Sequence, residues 1–389
     1  MKTTKDKVIT ESFLKDHGYD LNKCIASAKG MLMRGGVVFY AKFMHELSEA
    51  ETASSVSAAN RCGKLYHYKY QLMLKKSRPT AVNLALGTLV HNGLEYYWGM
   101  IRDMQEHGAE DTFSANSGGL LEALDLSVEN RDNDFWSNEK SDIWKCQAIA
   151  MLRGYYSKYL ENDKLTGGRM DYHAIRPEFS FIYISDGGKL RIGKMDVVML
   201  RGATHVICME HKTTSDSRVN EAGADYWSKL FIDTQLCFYR EAIKRMYPDR
   251  QALVIYDVLR KTSKKPLKGK GTKRKDESPE ELAARKEAGN ESLPAYTNRL
   301  IEEVFDDEMY VRKEIPVLNS SQKKVSQEID LTVDLLGDKR VLNRRNPTAC
   351  TYYNTTCDFI DVCTEASSID DRGLFQEKTA KHEEIEETL

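Results

Sequence analysis

The chain has 389 residues, 41% of them hydrophobic and 30% charged, with a formal net charge of −2. There is enough apolar sequence to bury a core, no apolar run approaches the ~20 residues of a membrane span, and the near-neutral charge excludes a uniformly basic nucleic-acid binder. Eight cysteines in so long and charged a chain do not make a secreted disulfide scaffold, and the start, Met1-Lys2-Thr3-Thr4-Lys5-Asp6-Lys7, has no secretory apolar region, so a cytoplasmic, intracellular protein is expected.

Residues 1–50 form a lead-in without a clear pattern. Beyond it, Leu86, Leu89, Val90, Leu94, Tyr97 and Trp98 recur at helical spacing. His91 and Glu95 then lie one turn apart. An imidazole there can ligate a metal or touch a phosphate, or it can be a structural histidine. Residues 101–170 are polar with helical stretches such as 143–160 and read as a helical insertion. Residues 191–200 and 204–213 read as buried strands joined by a turn at Arg201-Gly202-Ala203. Asp196 lies in the first strand. In the second, Glu210 and Lys212 are two apart and so project from one face. Acids of this kind hold a hard divalent cation through oxygen. The cation lowers the pKa of a bound water, which a lysine can orient or deprotonate. A plain cross-strand ion pair is the alternative. The run beginning at Asp233 reads as a helix that places Gln235 and Tyr239 one turn apart.

Leu253 to Leu259 reads as a further strand. Arg260 to Lys275 then carries nine Lys/Arg in sixteen residues and no acid. Its Gly and Pro content and like-charge repulsion predict a mobile loop over 260–276, which either contacts phosphates or is merely solvated. Helices are expected at 277–289, after Ser278-Pro279, and near 294–313. Cys350, Cys357 and Cys363 fall within fourteen residues. Three thiolates need a fourth to close an all-cysteine site, and Cys62, in Asn60-Arg61-Cys62-Gly63-Lys64-Leu65-Tyr66, is the candidate. Unlinked buried thiols are the alternative. Cys208 and Cys237 sit in apolar runs and read as core thiols. Thr364 to Leu389 has eight acids against three bases, so 365–389 is read as an acidic tail.

The order His91, Asp196, Glu210-x-Lys212 and Gln235-x3-Tyr239 resembles the PD-(D/E)xK nuclease superfamily. It is similar in particular to the RecB-like exonuclease branch, which includes exonuclease domains of bacterial recombination machines, CRISPR adaptation nucleases and phage exonucleases. The resemblance covers residues 51–364. It implies an α/β fold, a mixed central β-sheet flanked by helices with a restriction-endonuclease-like core. It also implies a metal-dependent DNA nuclease, acting as an exonuclease on single strands or ends in DNA processing or recombination. Asp196 and Glu210 would ligate Mg2+ or Mn2+, the His211 carbonyl would complete the site, and His91 would be an extra ligand. Lys212 would position the attacking water, and Gln235 and Tyr239 would hold the site and the DNA strand. Glu178 stands where the family often has a further acid.

A subset of that family carries a 4Fe–4S cluster, with one cysteine before the histidine helix and three near the C-terminus. Cys62, Cys350, Cys357 and Cys363 look like that set, and the cluster would staple the N-terminal segment to the C-terminal one. The final Cys-x5-Cys agrees; the first gap departs, with six residues where two are common. Thiolates also suit zinc, though there is no Cys-x-x-Cys knuckle. The implied partners are DNA and a recombination, replication or helicase protein, with no membrane. A reading from a different class is a cleavage-deficient iron–sulfur DNA-binding protein serving such a partner.

Overall fold

Five segments with strand-like burial build the central sheet of this chain, seen in a computed structural model that describes residues 24–26, 32–34, 50–77, 82–106, 139–161, 172–221, 225–269, 278–303, 306–316, 318–352 and 355–385. Two short strands, β1 (Cys24–Ala26) and β2 (Leu32–Arg34), pair as a hairpin, and β3 (Leu74–Lys76) follows. The central sheet consists of β4 (Tyr172–Ile184), β5 (Leu190–Arg201), β6 (His205–Thr214), β7 (Gln251–Arg260) and β8 (Tyr310–Glu314), in that spatial order. All neighbours are antiparallel except β6 and β7, which are parallel. A parallel pair needs a crossover, and the helix Thr234–Met246 lies within it. The expected α/β class, with a mixed sheet flanked by helices, is what the chain adopts.

Period-two alternation sends successive β6 residues to opposite faces. Ile207 and Met209 join one core, with Ile255 and Leu259 of β7. Val206 and Cys208 join the other, with Val254, Tyr256 and Val258. The flanking helices are α1 (Ala53–Arg61), α2 (Val82–Glu106), α3 (Glu139–Tyr156), α4 (Thr234–Met246), α5 (Pro279–Ala288), α6 (Leu293–Glu303) and α7 (Asn319–Leu335). The first core is covered by α2 and α3, with α6 behind, through Leu86, Leu89, Val90, Leu94, Trp98, Leu152 and Leu300. Each such side chain, fully buried, contributes ~1.5–3 kcal/mol. Helices α2 and α3 approach closely at Gly93, where an added Cβ would stand 2.2 Å from Leu152 Cδ1. The second core is covered by α4 and α7.

Several expectations need correcting. Helix α3, assigned to an insertion over 101–170, is part of the main core: Ala148, Ala150 and Met151 are wholly buried. Residues 107–138 and 162–171 lie outside the described residues. The helix expected near 294–313 ends at Glu303, and Tyr310–Glu314 is instead the edge strand β8. Helix α7 was not anticipated. Ser278 caps α5 in a capping box with Glu281, as the Ser-Pro signal suggested.

The basic run is not a mobile loop where it is described, up to Gly269. The Lys264 carbonyl accepts from Tyr296 Oη at 2.7 Å and from Gln147 Nε2 at 3.3 Å. The Lys265 carbonyl accepts from Arg299, the Leu267 amide donates to Glu291, and the Gly269 amide donates to Asn290. Its backbone is a strap pinned to α3, α6 and the turn between α5 and α6, because main-chain groups found partners that charge counting ignores. Residues 270–277 lie outside the described residues.

The acidic C-terminal stretch is also folded as far as Ile385, where the described residues end. Strand β9 (Thr351–Tyr352) pairs with β10 (Thr355–Thr356), and β11 (Phe375–Glu377) pairs with β3. Phe375 is buried against Tyr68, Leu74 and Phe359. Lys381 Nζ meets Glu51 Oε1 at 2.7 Å, and the wholly buried His382 places Nε2 2.8 Å from the Ala50 carbonyl. Apolar Phe375, Ala380 and Ile385, interspersed among the acids, supply the burial that net charge concealed.

Candidate active site

The catalytic candidates meet where two strands part. β5 and β6 pair from Arg201↔His205 to Val197↔Met209 and no further. Continuing that register sets Asp196 across from Glu210. On the other side, Pro177↔Val197 and Phe179↔Met195 set Glu178 across from Asp196. Three carboxylates therefore form a row across β4, β5 and β6 at the mouth of the fork. Glu178 has a φ of 47°, a left-handed conformation that costs a non-glycine residue energy and recurs at functional sites.

Each acid has a distinct environment. Asp196 Oδ2 accepts from the His211 amide at 2.7 Å and lies 3.6 Å from His91 Nδ1. Burial works against its charge, but His91, His211 and Lys212 hold its carboxyl well below the usual range. Glu210 is 1% exposed; one oxygen is ion-paired with Lys212, and the other, Oε2, is buried with no hydrogen-bond partner. Burial and the charge of Asp196 push the Glu210 carboxyl up to about 7. Glu178 Oε2 meets Lys194 Nζ at 2.5 Å, and burial and Asp196 raise its carboxyl too. Burial would depress His91, but Asp196 more than offsets this and raises it. Lys212 is likewise depressed by burial and raised, on balance, by Glu210. The site is an anionic cluster in which Lys212, Lys194 and His91 leave one buried carboxylate oxygen unmatched.

Gln235 and Tyr239 stand beside this row on α4. Asp233 caps that helix by accepting from the Leu236 amide, which fixes its first turn. Gln235 Nε2 donates to Tyr239 Oη at 2.7 Å, and Tyr239 Oη donates to the Lys194 carbonyl at 2.7 Å. Tyr239 thereby holds β5 two residues before Asp196. His211 faces the opposite side of the sheet from Glu210 and Lys212, as alternation requires. Its ring meets Asp257 Oδ2 at 3.0 Å and packs on Trp98 and Tyr155. The structure thus brings His91, Asp196, Glu210, Lys212, Gln235 and Tyr239 together with Glu178, and puts the His211 side chain on the other face of β6 from Glu210 and Lys212, where its ring meets the His91 ring edge-on.

The residues fit a hard divalent cation in donor chemistry. Asp196, Glu210 and Glu178 offer carboxylate oxygens, and Glu210 Oε2 is an orphaned buried acceptor of the kind a cation would satisfy. They are not arranged as a closed shell: among the described residues no three His, Cys, Asp or Glu side chains converge as a metal-holding group. Lys212 occupies Glu210 Oε1.

The four cysteines border one corner remote in sequence from this row. Cys62 Sγ lies 3.7 Å from the Arg344 carbonyl, Arg61 Nη2 donates to the Ala349 carbonyl, and Asn346 donates to the Arg61 carbonyl. The Cys357 amide donates to the Cys350 carbonyl, and Cys357 and Cys363 pack beside Tyr68. Gly63 allows the approach, since a Cβ there would stand 1.9 Å from the Val341 carbonyl oxygen. All four thiols are half-buried, but no three of them form a ligand set. Sequence reasoning overlooked Asp257, Arg312 and Tyr155. A lone acid within the apolar run Leu253 to Leu259 was the available signal for the first.

No helix among the described residues is long and apolar enough to cross a membrane. No curated protein matches the chain at a significant level. The sequence model of the PD-(D/E)XK nuclease superfamily matches residues 51–364. That span runs from the strand-paired Glu51 through the acid row to the cysteine corner. A match over most of its length, on a mixed sheet carrying paired acids and a lysine at a strand fork, means that the chain belongs to the PD-(D/E)XK nuclease superfamily.

Proposed function

We propose that this protein is a metal-dependent deoxyribonuclease that hydrolyses phosphodiester bonds, acting as an exonuclease on single strands or DNA ends. The observation that carries the reading is the row of half-buried Glu178 and Asp196 with buried Glu210, Glu210 Oε2 unmatched and Lys212 alongside. Asp196, Glu210 and the His211 carbonyl would hold Mg2+ or Mn2+, with His91 at the edge. When bound, the cation supplies Lewis acidity and lowers the pKa of water. Lys212 Nζ, paired with Glu210 Oε1, would orient the attacking water and neutralise charge on the phosphate. Gln235 and Tyr239 keep β5 in place and border the strand path. The basic strap starts at the end of β7 where Arg260 pairs with Thr214, two residues past the Lys212 level. It supplies phosphate contacts that carry no sequence information.

The RecB-like assignment and a 4Fe–4S cluster on Cys62, Cys350, Cys357 and Cys363 belong to the same proposal. Four half-buried thiols around one corner support the cluster; zinc is the competing occupant. A role beside a recombination, replication or helicase protein follows from the RecB-like resemblance. The deciding experiment incubates the metal-stripped and Mn2+- or Mg2+-supplemented protein with end-labelled linear and circular DNA, single- and double-stranded. Mononucleotide or short-oligonucleotide release from linear DNA only, abolished by EDTA, is expected. Cleavage of circles would make it an endonuclease. Binding without cleavage under every metal condition would favour the cleavage-deficient DNA-binding reading.

A further inference from the structure

Behind the sheet, the residues paired with His211 form a second charged row. Asp257 of β7 is the register partner of His211, and Arg312 of β8 is the register partner of Asp257. Asp257 Oδ2 meets His211 Nδ1 at 3.0 Å and accepts from Tyr155 Oη at 2.7 Å. Arg312 Nε donates to Asp257 Oδ1 at 3.1 Å, and its Nη2 donates to Tyr155 Oη at 2.7 Å. The guanidinium lies 3.7 Å from the centre of the Tyr159 ring. Asp257 is wholly buried and His211 is 2% exposed.

Such a cluster is poorly explained by stability. Desolvating an ion pair costs about as much as the pair returns, and well-packed apolar residues of similar volume do as well or better. The neighbours of Asp257 on the same face, Ile255 and Leu259, are buried apolar residues. What the cluster does have is a direct line to the acid row. The His211 ring bonds Asp257, and the His211 amide bonds Asp196 Oδ2. His211 also stands between Glu210 and Lys212, so any shift of its main chain moves both. Its other ring nitrogen, Nε2, is buried without a hydrogen-bond partner, so Asp257 is what sets the ring's orientation beyond packing.

We infer that Asp257, Arg312 and Tyr155 are positioning residues for the catalytic centre, acting through His211 to fix the β6 main chain on which Asp196, Glu210 and Lys212 depend. This rests on the metal-dependent nuclease reading. Outer groups that orient metal-site residues change metal affinity or activity by about 10–100-fold when removed, and that is the effect to look for.

The test uses the full chain and four variants: the double variant Asp257→Leu/Arg312→Leu, His211→Phe, His211→Gln and Tyr155→Phe. Mn2+ binding is measured by calorimetry on metal-stripped protein, together with kcat, KM for linear DNA, and the metal-free Tm. The double variant and His211→Phe should each weaken Mn2+ binding and lower kcat by about 10–100-fold, with KM unchanged and Tm within a few degrees of the parent. His211→Gln, which can still donate to Asp257, should recover part of both losses, and Tyr155→Phe should lie between. Parental Mn2+ affinity and kcat in a folded double variant or in His211→Phe overturn the inference. Loss of fold in both also overturns it, because the cluster would then hold the fold and not the site. If the parent itself neither binds Mn2+ nor cleaves DNA, the nuclease reading fails first, which is a distinguishable result.

Discussion

The His211 main-chain amide donates to Asp196 Oδ2 at 2.7 Å. In a continuous antiparallel ladder that amide would meet a carbonyl of the neighbouring strand. Here β5 and β6 have already parted, and a side-chain carboxylate takes the carbonyl's place. Both this amide and His91 reach Asp196 through Oδ2 and not through Oδ1. The break in the sheet is thus what creates the site.

Asp196→Ala, Glu210→Ala and Lys212→Ala should each lower kcat by about 10²–10⁴-fold, the usual scale for a group acting on the attacking water. The folded far-ultraviolet spectrum should be kept. Single-turnover cleavage of end-labelled DNA measures this. Full activity in Lys212→Ala would remove that residue from the chemistry.

Glu210 gives the pH dependence a sign. Its carboxyl rises from 4.5 to about 7 in the metal-free fold because of burial and Asp196. The folded state therefore binds this proton more tightly than the unfolded chain. The stability it contributes is complete below pH 4.5 and is lost as pH rises through about 7. Glu210→Gln should raise the metal-free Tm at pH 8 and change it little at pH 5. A cation competes with that proton, so the Tm gain from saturating Mn2+ should grow between about pH 5.5 and 8. A gain independent of pH, in thermal melts with Mn2+ and with EDTA, would contradict the placement of Glu210 at the cation.

The strap offers a cleaner test of binding because its backbone is held from behind. Substituting Lys264, Lys265 and Lys268 by Gln should leave the fold intact and weaken DNA binding at every sequence alike. Each lost phosphate contact should remove ~0.7–0.9 from the slope of log K against log salt. Rates at saturating DNA should stay near the parental value, because uniform binding does not act on the transition state. An unchanged slope in fluorescence anisotropy titrations would move the DNA path elsewhere.

Protein purified without air should be brown, with four irons and four sulfides per chain if the cluster is present. Cys62→Ser, Cys357→Ser and Cys363→Ser should lose colour and solubility together. Cys146→Ser should not, since that thiol is buried in the main core. Stoichiometric zinc without iron in such protein would assign the corner to zinc.

Ending the chain after Thr364 would delete β11, Phe375 and His382. Removing a buried phenylalanine alone costs ~3–5 kcal/mol, so the shortened protein should be insoluble or melt far lower. Unchanged melting would mean that the C-terminal contacts add nothing.

Local patterns were legible wherever one residue type decides an outcome. Glu210 and Lys212 share a face because strands have period two, and His91 follows from a stripe of apolar residues at helical spacing. The fork at Asp196 was not legible, because nothing in residues 190–201 announces where pairing stops. Nor was the row from His211 to Arg312, whose members are far apart in sequence and meet only through sheet register. The strap and the C-terminal stretch were misjudged for one reason: net charge reports on side chains, whereas order there came from main-chain carbonyls and a few buried rings.

The alternation along β6 also constrains how this protein can change over time. Glu210 and Lys212 lie on one face and His211 on the other, so a slip of one residue would turn Glu210 and Lys212 away from Asp196 and move His211 to their face. The turn that feeds β6, Gly202 to Thr204, is exposed and would accept insertions by its location. An insertion there only lengthens the loop, because the phase of β6 is held by its pairing with β5 and β7. One residue added inside His205–Thr214 would instead turn Glu210 and Lys212 from Asp196. Length variation is therefore expected at the turn and not within the strand.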